Sequence, residues 1–163
     1  MEILKGQQVC TCGKRHNGIL DAYVIEKNAI GHTALFVRKY HATKAFLLAD
    51  ANTFAVAGEQ VMQNLTENGI PFSKYIFPVS PKPDEAAVGS AVMHYDATCD
   101  IIIGIGSGVI NDLGKILAKT SGHPYIIVAT APSMDGYASG SSSVERDGLK
   151  ISLPSKCANA VIG

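Results

Sequence analysis

Residues 100–115 read Asp-Ile-Ile-Ile-Gly-Ile-Gly-Ser-Gly-Val-Ile-Asn-Asp-Leu-Gly-Lys. A short apolar run, Ile101 to Ile103, enters a glycine-spaced turn, and a helical pattern starts near Val109. A buried strand that feeds a helix through a glycine-rich turn belongs to a parallel α/β sheet, where it brings backbone up against phosphates. Gly104, Gly106 and Gly108 are expected to take φ values that other residues avoid, and they leave no Cβ in a ligand's way. The first helical turn adds unpaired N–H groups and the positive end of its dipole. We read Gly106, Ser107 and Gly108 as a diphosphate cradle. The spacing is not G-x-G-x-x-G, so a plain βα turn is the alternative. Asp112, inside the first turns, either serves the cradle or is an ordinary helix-start acid.

The same alternation runs through most of the chain. Strands are expected at 19–26, 44–49, 75–78, 100–104 and 125–129. Helices are expected at 29–40, with Asn28 as N-cap, at 53–65, from Asp84 to about Tyr95, and at 109–121. Asn68-Gly69 closes the second helix. Short links between such elements predict a Rossmann-like parallel sheet with helices on both faces. After residue 130 the character changes to Ser, Ala and Gly. Asp147-Gly148 between short runs over 144–151 predicts a β-hairpin, and 158–162 a last strand.

Length and composition bound the rest. At 163 residues the length prior gives one domain, long enough for a sizeable core. Basic and acidic residues balance at 14 each, and there is no basic run, which excludes the electrostatic footprint of a nucleic-acid binder. No apolar run reaches the ~18 residues of a membrane span. The N-terminus lacks a signal-peptide core, so the expected location is cytoplasmic, with the four cysteines reduced.

Other groups with chemical potential lie at predicted strand ends. Asp50 follows a buried strand, where an acid accepts hydrogen bonds from a ribose diol and repels a 2′-phosphate. The alternative is that Asp50 or Asn52 caps the next helix. The loop Thr130-Ala-Pro-Ser133-Met-Asp135-Gly-Tyr-Ala-Ser139 leaves the strand at 125–129 and offers hydroxyls and one acid to a polar ligand; the alternative is a plain surface loop. Cys10, Cys12 and His16 have partial zinc-ligand spacing, but a structural zinc takes four ligands and no fourth is evident. Cys99 and Cys157 read as buried small hydrophobes. His32, His41, His94 and His123 form no metal motif, so no metal ligands are assigned. No nucleophile elbow or Walker lysine occurs.

Three segments together, residues 46–58, 104–115 and 130–139, resemble one family: the metal-dependent polyol dehydrogenases related to glycerol dehydrogenase, iron-containing alcohol dehydrogenase and dehydroquinate synthase. Ser133-Met-Asp-Gly-Tyr-Ala-Ser139 and the N-terminal Cys-x-Cys-Gly-x-x-His are similar to the sn-glycerol-1-phosphate dehydrogenase branch, a branch of phospholipid metabolism. The resemblance implies that residues 1–163 are an NAD(P)-binding domain. Gly106, Ser107, Gly108 and Asp112 would surround the cofactor diphosphate and Asp50, with Asn52 beside it, the adenosine ribose. Thr130, Ser133 and Ser139 would line the rest of the site, and Asp135 would contact the substrate hydroxyls.

The implied reaction is reduction of a phosphorylated triose, dihydroxyacetone phosphate, to sn-glycerol 1-phosphate by NADH or NADPH. A divalent metal (Zn, Ni or Fe) is implied in the cleft with a C-terminal helical domain. In the family a strand like 160–163 runs into the first metal-ligand Asp. That ligand, its two His partners and the helical domain are therefore expected to be absent from these residues, which alone would bind dinucleotide weakly and not turn over. A homo-oligomer is also expected. Alternatives are the same domain of a glycerol or other polyol dehydrogenase, and a non-catalytic dinucleotide-binding module. Lys150 or Arg146 is the candidate phosphate contact on this chain.

Overall fold

The computed structural model describes residues 8–9, 12, 15–16, 20–132 and 136–163. Six strands form one parallel sheet: β1 (Ala22–Val24), β2 (Ala45–Asp50), β3 (Phe72–Phe77), β4 (Ile101–Gly106), β5 (Tyr125–Ala129) and β8 (Ala160–Ile162). Their order is β1-β8-β5-β4-β2-β3. Two further strands, β6 (Ser141–Arg146) and β7 (Leu149–Pro154), form an antiparallel hairpin. A short antiparallel ladder pairs Gln8–Val9 with Arg15–His16.

β2 and β4 are buried along their whole length, as expected of central strands covered on both faces. Alternate residues serve alternate faces. Leu47, Ile103, Ile105 and Val128 pack on one side with Phe36 and Val37 of α1 (Thr33–Lys39). Val61 and Leu65 join them from α2, a run of α-helix Ala51–Thr53, π-helix Phe54–Gly58 and α-helix Glu59–Glu67. On the other face Phe46, Leu48, Ile102 and Ile127 meet Ala87 and Ala91 of α3 (Glu85–Met93), and Ile110, Leu113 and Leu117 of α4 (Gly108–Ser121). The Rossmann-like α/β architecture with a hairpin near residue 150 is thus observed.

Local chemistry sets the boundaries. Asp84 caps α3 by accepting the Ala87 N–H at 2.9 Å. Gly69 and Gly122 close helices with φ of 68° and 80°. Asp147 and Gly148 both take positive φ, 53° and 74°, as a two-residue hairpin turn of right-handed twist requires.

Two expectations need correction. Asn28 is not a side-chain cap: it sits at φ 66° before a 3-10 turn, Ala29–His32, and α1 begins only at Thr33. The glycines of the central turn also work differently from the reading above. Gly104 and Gly106 lie inside β4, and the positive-φ glycines among the described residues are Gly69, Gly122 and Gly148. What Gly104 and Gly106 supply is room. A Cβ on Gly104 would run into the Tyr125 hydroxyl, and one on Gly106 would stand 2.6 Å from Ile110 Cβ. Among the described residues no helix is long and apolar enough to cross a membrane.

Candidate functional site

From β2 the chain moves outward to β3, then returns to lay β4 on the opposite side of β2. The carboxyl ends of β2 and β4 therefore flank a topological switch point, where open α/β sheets bind ligands. Ala49 pairs with Ile105, which sets Asp50 alongside Gly106. The Thr130 N–H donates to the Gly106 carbonyl at 3.1 Å, so the exit of β5 joins the same edge.

Ser107 is the N-cap of α4 in extended conformation, and its side chain makes no capping hydrogen bond. The Asn111 N–H returns to the Ser107 carbonyl at 2.9 Å. The N–H groups of Gly108, Val109 and Ile110 precede that first bond and have no carbonyl a turn back to accept them. Gly108 and Val109 line a cleft of about 700 Å³, within the size range of small-molecule sites. Ser107, Gly108, Val109 and Asp112 form one wall, and Gly136, Ser139, Ser141, Ser143, Val144, Glu145 and Lys150 the other. The hairpin reaches across to Pro83, whose carbonyl accepts the Glu145 N–H at 2.7 Å.

The predicted residues distribute as follows. Ser107, Gly108, Asp112 and Ser139 line the cleft. Asp50, Asn52, Gly106 and Thr130 lie along the adjoining strand ends, outside its walls. Asp50 does cap α2: its Oδ1 accepts the N–H groups of Asn52 and Thr53 at 2.9 Å each, and the Thr53 hydroxyl answers the Asp50 N–H. The described cap uses Oδ1 alone, so capping and a ribose contact are compatible. Asn52 is exposed and bonds the Ser80 hydroxyl at 3.2 Å. Ser133 and Asp135 fall outside the described residues, as does Cys10 of the zinc reading. Cys12 is exposed and the backbone of His16 is in the short ladder. Lys150 lines the cleft but shares that wall with Glu145, which offsets its charge toward a phosphate. Arg146 is not among the lining residues.

Sequence reasoning missed three groups. Lys115 is 1% exposed; its ammonium lies 3.1 Å from Asp112 Oδ1 and donates to the Ser141 carbonyl at 2.5 Å. Asp112 Oδ2 accepts the Ser143 N–H at 3.2 Å, so this carboxylate builds the cleft wall. Asn111, also buried, donates to the Gly136 carbonyl, and its Oδ1 finds no partner among the described residues. Tyr125 is buried with its hydroxyl likewise unpartnered among the described residues; burial, then the Asp112 charge, raises its pKa well above the phenol range. The available signal was Asn111, Asp112 and Lys115 placed on one helix beside Leu113 and Leu117.

The donor set suits an anionic nucleotide diphosphate: uncapped N–H groups, a dipole end, serine hydroxyls and an acid neutralised by Lys115. It does not suit a metal. Among the described residues no three His, Cys, Asp or Glu gather to hold one. Cys99 is buried and burial raises its thiol pKa; Cys157 is half-buried, with the same effect.

A family model described as iron-containing alcohol dehydrogenase matches residues 24–162. The glycerol-1-phosphate dehydrogenase [NAD(P)+] of Halalkalibacterium halodurans is 34% identical over 149 residues, 88% of this chain and 37% of that protein. Its counterpart in Methanothrix thermoacetophila is 33% identical over 120 residues, 73% of this chain and 33% of that protein. The crystal structure of glycerol dehydrogenase from Schizosaccharomyces pombe superposes with a TM-score of 0.78 at 25% identity, covering 87% of this chain and 36% of that one. The chain thus spans roughly a third of the length of the relatives it matches.

Proposed function

The chain belongs to the iron-containing alcohol dehydrogenase family, and from that premise we propose that these residues form the dinucleotide-binding domain of an NAD(P)-linked, metal-dependent dehydrogenase. The observation that carries the reading is the uncapped amino end of α4, opening at the switch point into the cleft. Its substrate in this reading is dihydroxyacetone phosphate, reduced to sn-glycerol 1-phosphate. Support for that substrate comes from the two glycerol-1-phosphate dehydrogenases that the chain resembles.

The nicotinamide cofactor, when bound, supplies the hydride. The chain's own residues bind and orient it. Gly106 lets the backbone pass close to Ile110, and the donors of Gly108 and Val109 stand at the cleft. Ser107 adds a hydroxyl, and Ser139, whose own hydroxyl is engaged with Ser141, lines the facing wall. Asp50 holds α2 in place through Oδ1 and meets the adenosine ribose with its remaining oxygen. The same carboxylate would repel a 2′-phosphate, so NADH is the preferred carrier. Asp135 contacts the substrate hydroxyls and Thr130 and Ser133 complete the cofactor site. The described residues do not assemble a metal site, and the residues that would hold a metal are not among them. Self-association is the companion expectation, which sedimentation at rising concentration measures.

The test is a fluorescence titration with NADH and NADPH in parallel, together with an assay on dihydroxyacetone phosphate. The expected result is saturable NADH binding, weaker NADPH binding, and no turnover by these residues alone. No binding of either nucleotide at millimolar concentration overturns the reading. Metal-dependent turnover by the 163-residue chain overturns the assignment of the metal ligands.

A further inference from the structure

We infer that Lys115 is a positioning residue for the dinucleotide site: its buried ammonium fixes the cleft wall that faces the amino end of α4. This rests on the dinucleotide reading above. Lysine carries three donors and no acceptor, and burying its charge without partners is costly. Lys115 meets that demand with backbone carbonyls. It donates to Ser141 at 2.5 Å, and lies 3.4 Å from the Gly136 carbonyl oxygen and 3.5 Å from that of Ser139. These carbonyls run from the loop after β5 to the first residue of β6, so one ammonium gathers residues 136–141 into a single wall.

The neighbours of Lys115 on α4 grip the same wall. Asn111 donates to the Gly136 carbonyl at 3.2 Å, and Asp112 accepts the Ser143 N–H at 3.2 Å. One turn further, Lys119 donates to the Pro154 carbonyl at 2.5 Å, and Pro154 is the ladder partner of Ser141. Helix α4 therefore holds both strands of the hairpin at their base rung, with Lys115 as the buried contact and Lys119 as the exposed one.

Lys115 has a second effect, through charge. Asp112 stands in the wall that an anionic diphosphate would approach. Left alone, its carboxylate would repel that ligand. The ammonium 3.1 Å away cancels it. Removing the amine thus frees the wall and uncovers a like charge, and both changes weaken dinucleotide binding.

The experiment uses Lys115→Met, which keeps the length of the stem, and Lys115→Ala, which leaves space for an added amine. NADH affinity is measured by fluorescence, and hydrogen exchange is followed at the Ser143 and Glu145 amides. Circular dichroism identifies which variants are folded. Lys115→Met is expected to bind NADH about tenfold more weakly or worse, as loss of hydrogen bonds to a charged group implies, and to exchange faster at both amides. Propylammonium is expected to restore binding to Lys115→Ala, whereas tetramethylammonium, which has no N–H, does not. Restoration by propylammonium supports the inference even if Lys115→Met fails to fold. A folded Lys115→Met with wild-type NADH affinity, or a folded Lys115→Ala that no amine restores, overturns the positioning role alone. Absence of NADH binding by the wild-type chain instead overturns the dinucleotide reading, and this role with it.

Discussion

The two ends of the parallel sheet use their polar groups in different ways. At the amino ends of the strands the carboxylates of Asp96 and Asp100 are engaged. Asp96 accepts from Lys44 at 2.7 Å, the Ser73 hydroxyl at 2.5 Å, and the Thr98 N–H and hydroxyl. Asp100 accepts the N–H groups of Thr43 and Lys44 and the Thr43 hydroxyl. These bonds tie the starts of β2, β3 and β4 together. At the carboxyl ends Asp50 and Asp112 are engaged too, but other polar groups stay open. Helix α4 starts without a side-chain cap, Asn111 Oδ1 lacks a partner among the described residues, and the strands end in a cleft. Saturated polar groups hold a fold together; unsaturated ones at a switch point are what a ligand completes.

The largest effect on this contrast comes from filling the space beneath the cleft. Gly104→Val drives a side chain into Tyr125 and is expected to destabilise by about 3 kcal/mol, the upper end for overpacking; urea unfolding measures it. Gly106→Ala presses on Ile110 and should cost about 1–2 kcal/mol while also weakening NADH binding. Asp50→Ala removes a helix cap worth about 1 kcal/mol, and its NADH affinity should fall in the same titration. If Asp50→Ala loses stability but not affinity, Asp50 belongs with the amino-end acids as a purely structural group.

Asp96→Asn probes the other end, with a smaller effect expected of a partly exposed pair. Its hydrogen bonds, that from Lys44 foremost, hold the Asp96 pKa well below the ordinary 3.8. Its stabilisation is therefore complete above that ordinary value and is lost as pH falls toward the lowered one. The Tm difference between wild type and Asp96→Asn should be present at neutral pH and shrink below about pH 4, with NADH binding at neutral pH unchanged. Smallest of all is Tyr125→Phe. Its hydroxyl is buried without a partner among the described residues, so removal should be neutral or stabilising by up to about 1 kcal/mol.

Much of this was legible in the chain. Ile101 to Ile103 and Tyr125 to Ala129 announce central strands because a strand buried on both faces needs an unbroken apolar run. Asp84 and Asp147-Gly148 announce a cap and a turn because their chemistry is local. The groups that were missed depend on distant partners. Lys115 gives no local sign of its role, because the Ser141 carbonyl it holds lies 26 positions later in the chain. Gly104 and Gly106 read as positions of unusual φ beside a ligand, yet what they accommodate is Tyr125 and Ile110. Asn28 has the side chain of a cap but a left-handed backbone, which makes it a turn residue. The acid network at Asp96 and Asp100 is likewise invisible until β2, β3 and β4 lie side by side.

The most direct test of the contrast between the two ends is an NMR titration of the labelled chain with NADH, read amide by amide. The account predicts shifts concentrated at Asp50 to Thr53, at Ser107 to Asn111 and along the hairpin wall from Ser141 to Glu145, with Thr43, Lys44, Asp96 and Asp100 unmoved. Shifts centred on the amino-end network, or no shifts at saturating nucleotide, would contradict it.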